Sequence, residues 1–194
     1  MKIIGVTGIS GSGTSTAATI LQEMGGYIIS ADELAHASMM RDKEAYTQIV
    51  NYFGNEIVNT NGEIDRKKLG ALVFGKPELL ALLEGFIHPQ VWKDTEILLE
   101  EARLNNYPFA VIDAPLLIEA GMHTMCDTTV LITASDTTRA ERIMQRDNIS
   151  PESAVRRLAS RAGDEARIPY AQAVLENEGD INTLREKIQQ VITL

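Results

Sequence analysis

The sequence predicts an α/β protein built on a parallel sheet of about five strands, and three observations carry that expectation. An apolar run, Lys2–Thr7, leads through a glycine-rich turn into a helical stretch, Thr14–Met24, and a second apolar run, Gly26–Ile29, follows at once. Strand, helix, strand is the grammar of a parallel pair. Two further runs, Phe109–Asp113 and Thr128–Thr133, have the length and β-branched content of strands buried on both faces. The 194 residues are 44% apolar and 23% charged, the balance of an ordinary globular fold. At about 150 residues per domain, that length leaves room for one domain with a modest insertion.

The remaining elements follow in order. Ser30-Ala31-Asp32 closes the second strand, and Asp32 has the residue type of an N-cap for a helix starting near Glu33. A helical block over roughly residues 43–104 comes next, punctuated by Gly54, by the turn Asn59–Gly62 and by His88-Pro89. Proline restrains its predecessor to extended backbone, so His88 is expected to break a helix. The block exceeds a simple crossover and predicts a small helical insertion, about 41–104, over one edge of a core made of 1–40, 105–135 and 168–194. Ser150-Pro151 reads as an N-cap followed by proline at the first helical position, and Ala173–Leu175 is a weaker fifth strand. Ile181, Leu184, Ile188 and Val191, spaced 3, 4 and 3, make the apolar face of a closing helix.

Composition narrows the function. A net charge of −9 argues against broad binding to nucleic acid or anionic membrane, so an anionic ligand must meet a local basic site. No stretch is long and apolar enough to span a bilayer, and the opening run is too short for a signal peptide, so a cytoplasmic location is expected. The single cysteine, Cys126, cannot form an internal bridge and suits a reducing compartment.

The strongest local signal is Gly8-Ile-Ser-Gly11-Ser-Gly13-Thr14-Ser15, which fits the phosphate-binding pattern G-x-x-x-x-G-K-[ST] except that Thr14 stands at the lysine. Glycines let the backbone curl until several N–H groups face one anion, and the following helix adds its positive end. Gly8, Gly11, Ser12, Gly13, Thr14, Ser15 and Thr16 are therefore the candidate cradle, with the Ser15 hydroxyl a candidate Mg²⁺ ligand. Thr14 can donate a hydrogen bond but carries no charge. A dinucleotide-binding turn, with Asp32 near the spacing of a ribose-binding acid, and a glycine turn without a ligand are the competing readings.

The second signal is charge. Seven arginines and no lysine lie between Arg139 and Arg167, and Arg139, Arg142 and Arg146, spaced 3 and 4, share a helix face. Guanidinium suits the planar grip on phosphate oxygens, so a lid that closes over a triphosphate and excludes water is one reading. A solvated face paired with Glu141, Asp147 and Glu152 is the other.

Together with Tyr52-Phe-Gly54, Gly62–Arg66, Val73-Phe74, His88-Pro89, Asp113–Glu119, Arg142–Asp147 and Asn177, the loop and Ser30-Ala-Asp32 stand in the order and spacing of the dephospho-CoA kinase family, which the chain resembles over nearly its whole length. The resemblance implies a three-layer P-loop kinase fold with about five parallel strands, an inserted helical acceptor-binding segment and an arginine-rich lid of about 136–167. It implies transfer of the ATP γ-phosphoryl group, with Mg²⁺, to the 3′-hydroxyl of dephospho-CoA, the last step of coenzyme A synthesis. Asp32 then matches the acid beside the acceptor hydroxyl, and Asp113 matches a metal partner. His36, His88, Pro115, Leu116, Leu117 and Glu119 match the acceptor side. Arg142 and Arg146 match lid arginines, and Asn177 falls with the nucleotide-binding set.

The sequence departs from the family pattern at Thr14, at Ser30 for the first acid of Asp-Ala-Asp, at Arg139 and Arg161 for glutamines, and at Gln172 for an acid. Arg139 or Arg161 is thus a candidate to supply the charge that Thr14 lacks. Without compensation, the same residues would make a nucleotide- or CoA-binding regulatory module; a kinase for another small hydroxylated acceptor is a separate alternative.

Overall fold

The computed structural model describes residues 1–159 and 163–192. Its strands are β1 (Lys2–Thr7), β2 (Tyr27–Ser30), β3 (Phe109–Asp113), β4 (Thr128–Thr133) and β5 (Ala173–Glu176). Its α-helices are α1 (Thr14–Glu23), α2 (Ala31–Ser38), α3 (Glu44–Phe53), α4 (Arg66–Val73), α5 (Pro77–Leu104), α6 (Asp136–Asp147), α7 (Pro151–Ala159) and α8 (Ile181–Ile192). Contacts divide the chain into two compact units, Met1–Ser30 with Glu101–Leu194, and Ala31–Glu100.

The first unit holds a five-stranded sheet in the order β2-β3-β1-β4-β5, every neighbouring pair parallel. β1 lies at the centre because it is apolar along its length and is bonded on both edges. Its alternate residues serve opposite faces. Ile4 and Val6 join Val111, Val130 and Ile132 in a core closed by Ala17, Ile20 and Leu21 of α1 and by Leu184, Ile188 and Val191 of α8. Each Val, Leu or Ile side chain so removed from water contributes about 1.5–3 kcal/mol. On the opposite face Gly5 has no room for a side chain, because a Cβ there would lie 2.7 Å from both Cys126 Sγ and Leu117 Cδ2. That register brings the carboxyl ends of the strands to one edge, where Val6 faces Asp113 and Val130, and Ser30 also pairs with Asp113. Ligands of open parallel sheets bind at this edge.

The second unit has its own core of Ile49, Phe53, Ile57, Ile64, Leu69, Val73 and Leu83. The turn Asn59–Gly62 is set by the Asn59 side chain, whose Oδ1 accepts from the N–H groups of Asn61 (2.9 Å) and Glu63 (3.0 Å). Asp65 caps α4 by accepting from Lys67 and Lys68 N–H at 3.0 and 3.2 Å.

Two sequence expectations are corrected. Asp32 is the second residue of α2, not its cap, because the helix starts at Ala31, directly after β2. His88 is helical: α5 runs through Pro89 unbroken. Proline there removes one backbone hydrogen bond, but Leu83 and Val91 are buried on either side of it, and that packing outweighs the local loss.

Candidate functional site

The glycine loop leaves the central strand and enters α1 through Gly11 and Gly13, whose φ angles of 85° and 100° are left-handed and favour glycine. Neither has space for a Cβ: at Gly11 it would lie 2.7 Å from the Arg139 carbonyl oxygen, and at Gly13 it would overlap the Asn177 carboxamide. Within the loop, Ser12 N–H donates to Ile9 O at 3.0 Å. Among the described residues no protein acceptor takes the N–H groups of Gly11, Gly13, Thr14, Ser15 or Thr16, and no side chain caps α1. Side chains do cap α4, through Asp65, and α6, through Ser135, whereas α3 like α1 has no side-chain cap. A run of unanswered donors at a positive helix end is an anion cradle. Ser15 and Thr16 are exposed on this first turn, and Thr14 is half-buried.

Arginines approach the loop from α6. Arg142 Nη1 donates to Gly11 O and Ser12 O, both at 3.3 Å, and its Nη2 donates to Asn177 O at 2.9 Å. Arg146 Nη2 donates to Ser10 Oγ at 3.3 Å while Nε holds Asp147 at 2.8 Å. That hydrogen bond, with the charges of Arg146 and Arg157 beside it, holds the Asp147 carboxyl below its usual range. Arg139 behaves differently. Its backbone abuts Gly11, but its guanidinium turns to Asp136 and to Asp164 Oδ2 (3.2 Å), so the structure does not bring this charge to the loop. Burial pushes the Asp164 carboxyl up against the opposing pull of Arg139 and Arg167. Arg161 lies outside the described residues.

Asn177 is buried beside the loop. Its Nδ2 donates to Ser12 O at 2.8 Å and its backbone N–H to Thr133 O at 2.8 Å, so it holds the loop's peptide chain. Glu178, which the sequence reading passed over, accepts from Ser135 N–H, from Ser135 Oγ (3.2 Å) and from Thr138 Oγ1 (2.6 Å), tying the start of α6 to the end of β5. Its only signal in the sequence is adjacency to Asn177.

At the end of β3, Asp113 is half-buried at the sheet edge, and Thr7 Oγ1 donates to Pro115 O at 3.3 Å. Pro115 is half-buried, while Leu116 and Glu119 are exposed and Glu119 pairs with the buried Arg167. Leu117 is a correction: it is fully buried under Gly5 and serves the core rather than a binding wall. In the second unit, Asp32 is exposed on α2, and His36 Nε2 lies within hydrogen-bond distance of Arg66 Nη1 on α4. His88 is half-buried in α5. No group of three or more His, Cys, Asp or Glu side chains that could hold a metal occurs among the described residues. A Ser hydroxyl and one carboxylate are nonetheless the hard oxygen donors that Mg²⁺ takes beside phosphate and water.

Comparisons with known proteins agree with this geometry. The family model described as dephospho-CoA kinase matches residues 2–183. A dephospho-CoA kinase of Dehalococcoides mccartyi is 40% identical over 189 residues, 97% of this chain and 95% of that protein. Among solved structures, the Thermus thermophilus protein TT1252 superposes with a TM-score of 0.80 at 32% identity, covering 99% of this chain and 96% of its own. A dephospho-CoA kinase from Campylobacter jejuni superposes with a TM-score of 0.71 at 28% identity, covering 100% and 96%. With a glycine loop after the central strand of a five-stranded parallel sheet, arginines of α6 on that loop, and a family match along nearly its whole length, the chain has the P-loop kinase fold and belongs to the dephospho-CoA kinase family.

Proposed function

We propose that this chain transfers the γ-phosphoryl group of ATP to the 3′-hydroxyl of dephospho-CoA, giving coenzyme A and ADP, in the cytoplasm. The observation that carries the donor half of this reading is the set of N–H groups of Gly11, Gly13, Thr14, Ser15 and Thr16 left unanswered among the described residues, with Arg142 and Arg146 beside it. Phosphoryl transfer has a loose transition state with charge spread over the equatorial oxygens, so positioned donors do most of the catalytic work. In this reading the loop N–H groups orient the β- and γ-phosphates. Arg142 and Arg146 exchange the backbone and hydroxyl oxygens they now hold for phosphate oxygens. Mg²⁺, when bound, neutralises phosphate charge, and Ser15 and Asp113 would hold it. Asp32 accepts the proton of the attacking 3′-hydroxyl, and its exposed carboxylate is open to that hydrogen bond. His36, His88, Pro115, Leu116 and Glu119 remain candidates for the acceptor. The segment 136–167 serves as lid.

Arg142 rather than Arg139 is the arginine held on the loop, because Arg139 is engaged by Asp136 and Asp164. A transition-state arginine contributes on the order of 10³–10⁵-fold to rate. An assay of ADP release with and without dephospho-CoA tests the proposal, with turnover expected only when the acceptor is present. Thr14 favours one second reading, a nucleotide- or CoA-binding module without turnover, and tight ATP binding with no ADP release in that assay would select it.

A further inference from the structure

The loop's geometry is set from outside the loop. The Ser12 carbonyl takes the Asn177 side-chain amide at 2.8 Å and Arg142 Nη1 at 3.3 Å. A trans peptide directs its C=O and its N–H to opposite edges, so pinning Ser12 O on one side turns the Gly13 N–H to the other, where no protein acceptor takes it among the described residues. Asn177 is itself fixed at both backbone atoms: its N–H donates to Thr133 O at 2.8 Å and its carbonyl accepts from Arg142 Nη2 at 2.9 Å. Its carboxamide also fills the space a Cβ would need at Gly13. Glu178, next in the chain, anchors the first turn of α6, the helix that carries Arg142. One short turn after β5 therefore controls both the peptide orientation of the loop and the approach of its arginine.

We infer that Asn177 is a positioning residue for phosphate recognition: its side-chain amide holds the Ser12–Gly13 peptide with the N–H directed at the donor's phosphates, acting through the loop rather than on the ligand. This rests on the reading that the loop binds ATP, and it matters most in a chain whose loop has Thr14 for the lysine, because oriented peptides then carry more of the anion's field. Aspartate at this position keeps the shape but, when ionised, cannot donate to Ser12 O. It also sets a negative charge beside the loop, near Arg142 of α6 and Glu178 of its own turn.

The test is calorimetric titration of Mg-ATP, and separately of dephospho-CoA, into the parent, Asn177→Asp and Asn177→Ala proteins. Both variants should lose at least tenfold in ATP affinity while dephospho-CoA affinity stays within twofold. In turnover, KM for ATP should rise while KM for the acceptor does not. A buried residue that serves stability alone would leave that ratio unmoved. ATP affinity within twofold of the parent in a folded variant overturns the inference and leaves the kinase reading standing, whereas a parent that binds no ATP overturns both. Should neither variant fold, ¹⁵N-glycine spectra of the parent decide. The Gly13 amide resonance shifting on addition of ATP supports the inference, and a Gly13 resonance that stays in place while the protein is saturated overturns it.

Discussion

Cys126 shows how one side chain's chemistry follows from one missing Cβ. Gly5 lets the segment after β3 approach the central strand so closely that the Cys126 thiol and Leu117 occupy the space a β-carbon would take. Burial, with Asp127 beside it, pushes the thiol up to about 12. Only the thiolate reacts, so near neutral pH its population is on the order of 10³-fold below that of an ordinary cysteine. Alkylation of the folded protein, followed by mass spectrometry, is expected to run at least a hundredfold slower than in urea; equal rates would contradict this account of its burial. At this scale the sequence was a fair guide to the loop, since glycine and hydroxyl residues there have few other uses. It misplaced Leu117, because a stretch matched as a binding wall does not reveal which of its residues turns inward. It also could not foresee that Arg139 would turn to Asp164, a partner 25 positions away that only the tertiary fold supplies.

Among the elements, α6 depends on a carboxylate outside itself. Hydrogen bonds from Thr138 Oγ1 and from Ser135 N–H hold the Glu178 carboxyl below its usual range. A lowered folded value means that the stabilisation is complete above about pH 4.3, the unfolded range, and is lost as pH falls through the folded value. Glu178→Gln should therefore flatten the acid side of the stability–pH profile, read by chemical denaturation between pH 3 and 7, and leave the neutral side nearly parallel to the parent. An unchanged acid limb would assign the anchoring to Ser135 alone. β1, β3 and β4 were legible because both of their faces are buried and their apolar runs are continuous, whereas β5, exposed at Val174 and Glu176, was the weaker signal. The helices of residues 43–104 were legible only as a block: their starts depend on Asp65 and on packing across Pro89, and tertiary contacts decided both.

For the whole molecule, the division into Met1–Ser30 with Glu101–Leu194, and Ala31–Glu100, separates the proposed donor loop from α2 and its Asp32. Hydrogen exchange should report that division. ATP is expected to slow exchange over residues 8–20 and 135–147, and dephospho-CoA over residues 31–100 and 115–119; uniform protection of the whole chain by ATP alone would argue against this assignment of the two ligands. Excess length between strands predicted helices from about residue 41 to 104, and α3 to α5 lie there, but the second compact unit is Ala31–Glu100: it begins directly at the end of β2, where no loop or composition change marks the boundary.

The uncapped first turn of α1 has a practical outcome. A helix end whose amides find no answering oxygen among the described residues will take one from the medium, so small oxyanions compete for it by mass action. Melting curves recorded in sulfate or phosphate should sit above those recorded in chloride at matched ionic strength, and a difference between laboratories in the heat resistance of this protein would trace first to the salt in the tube.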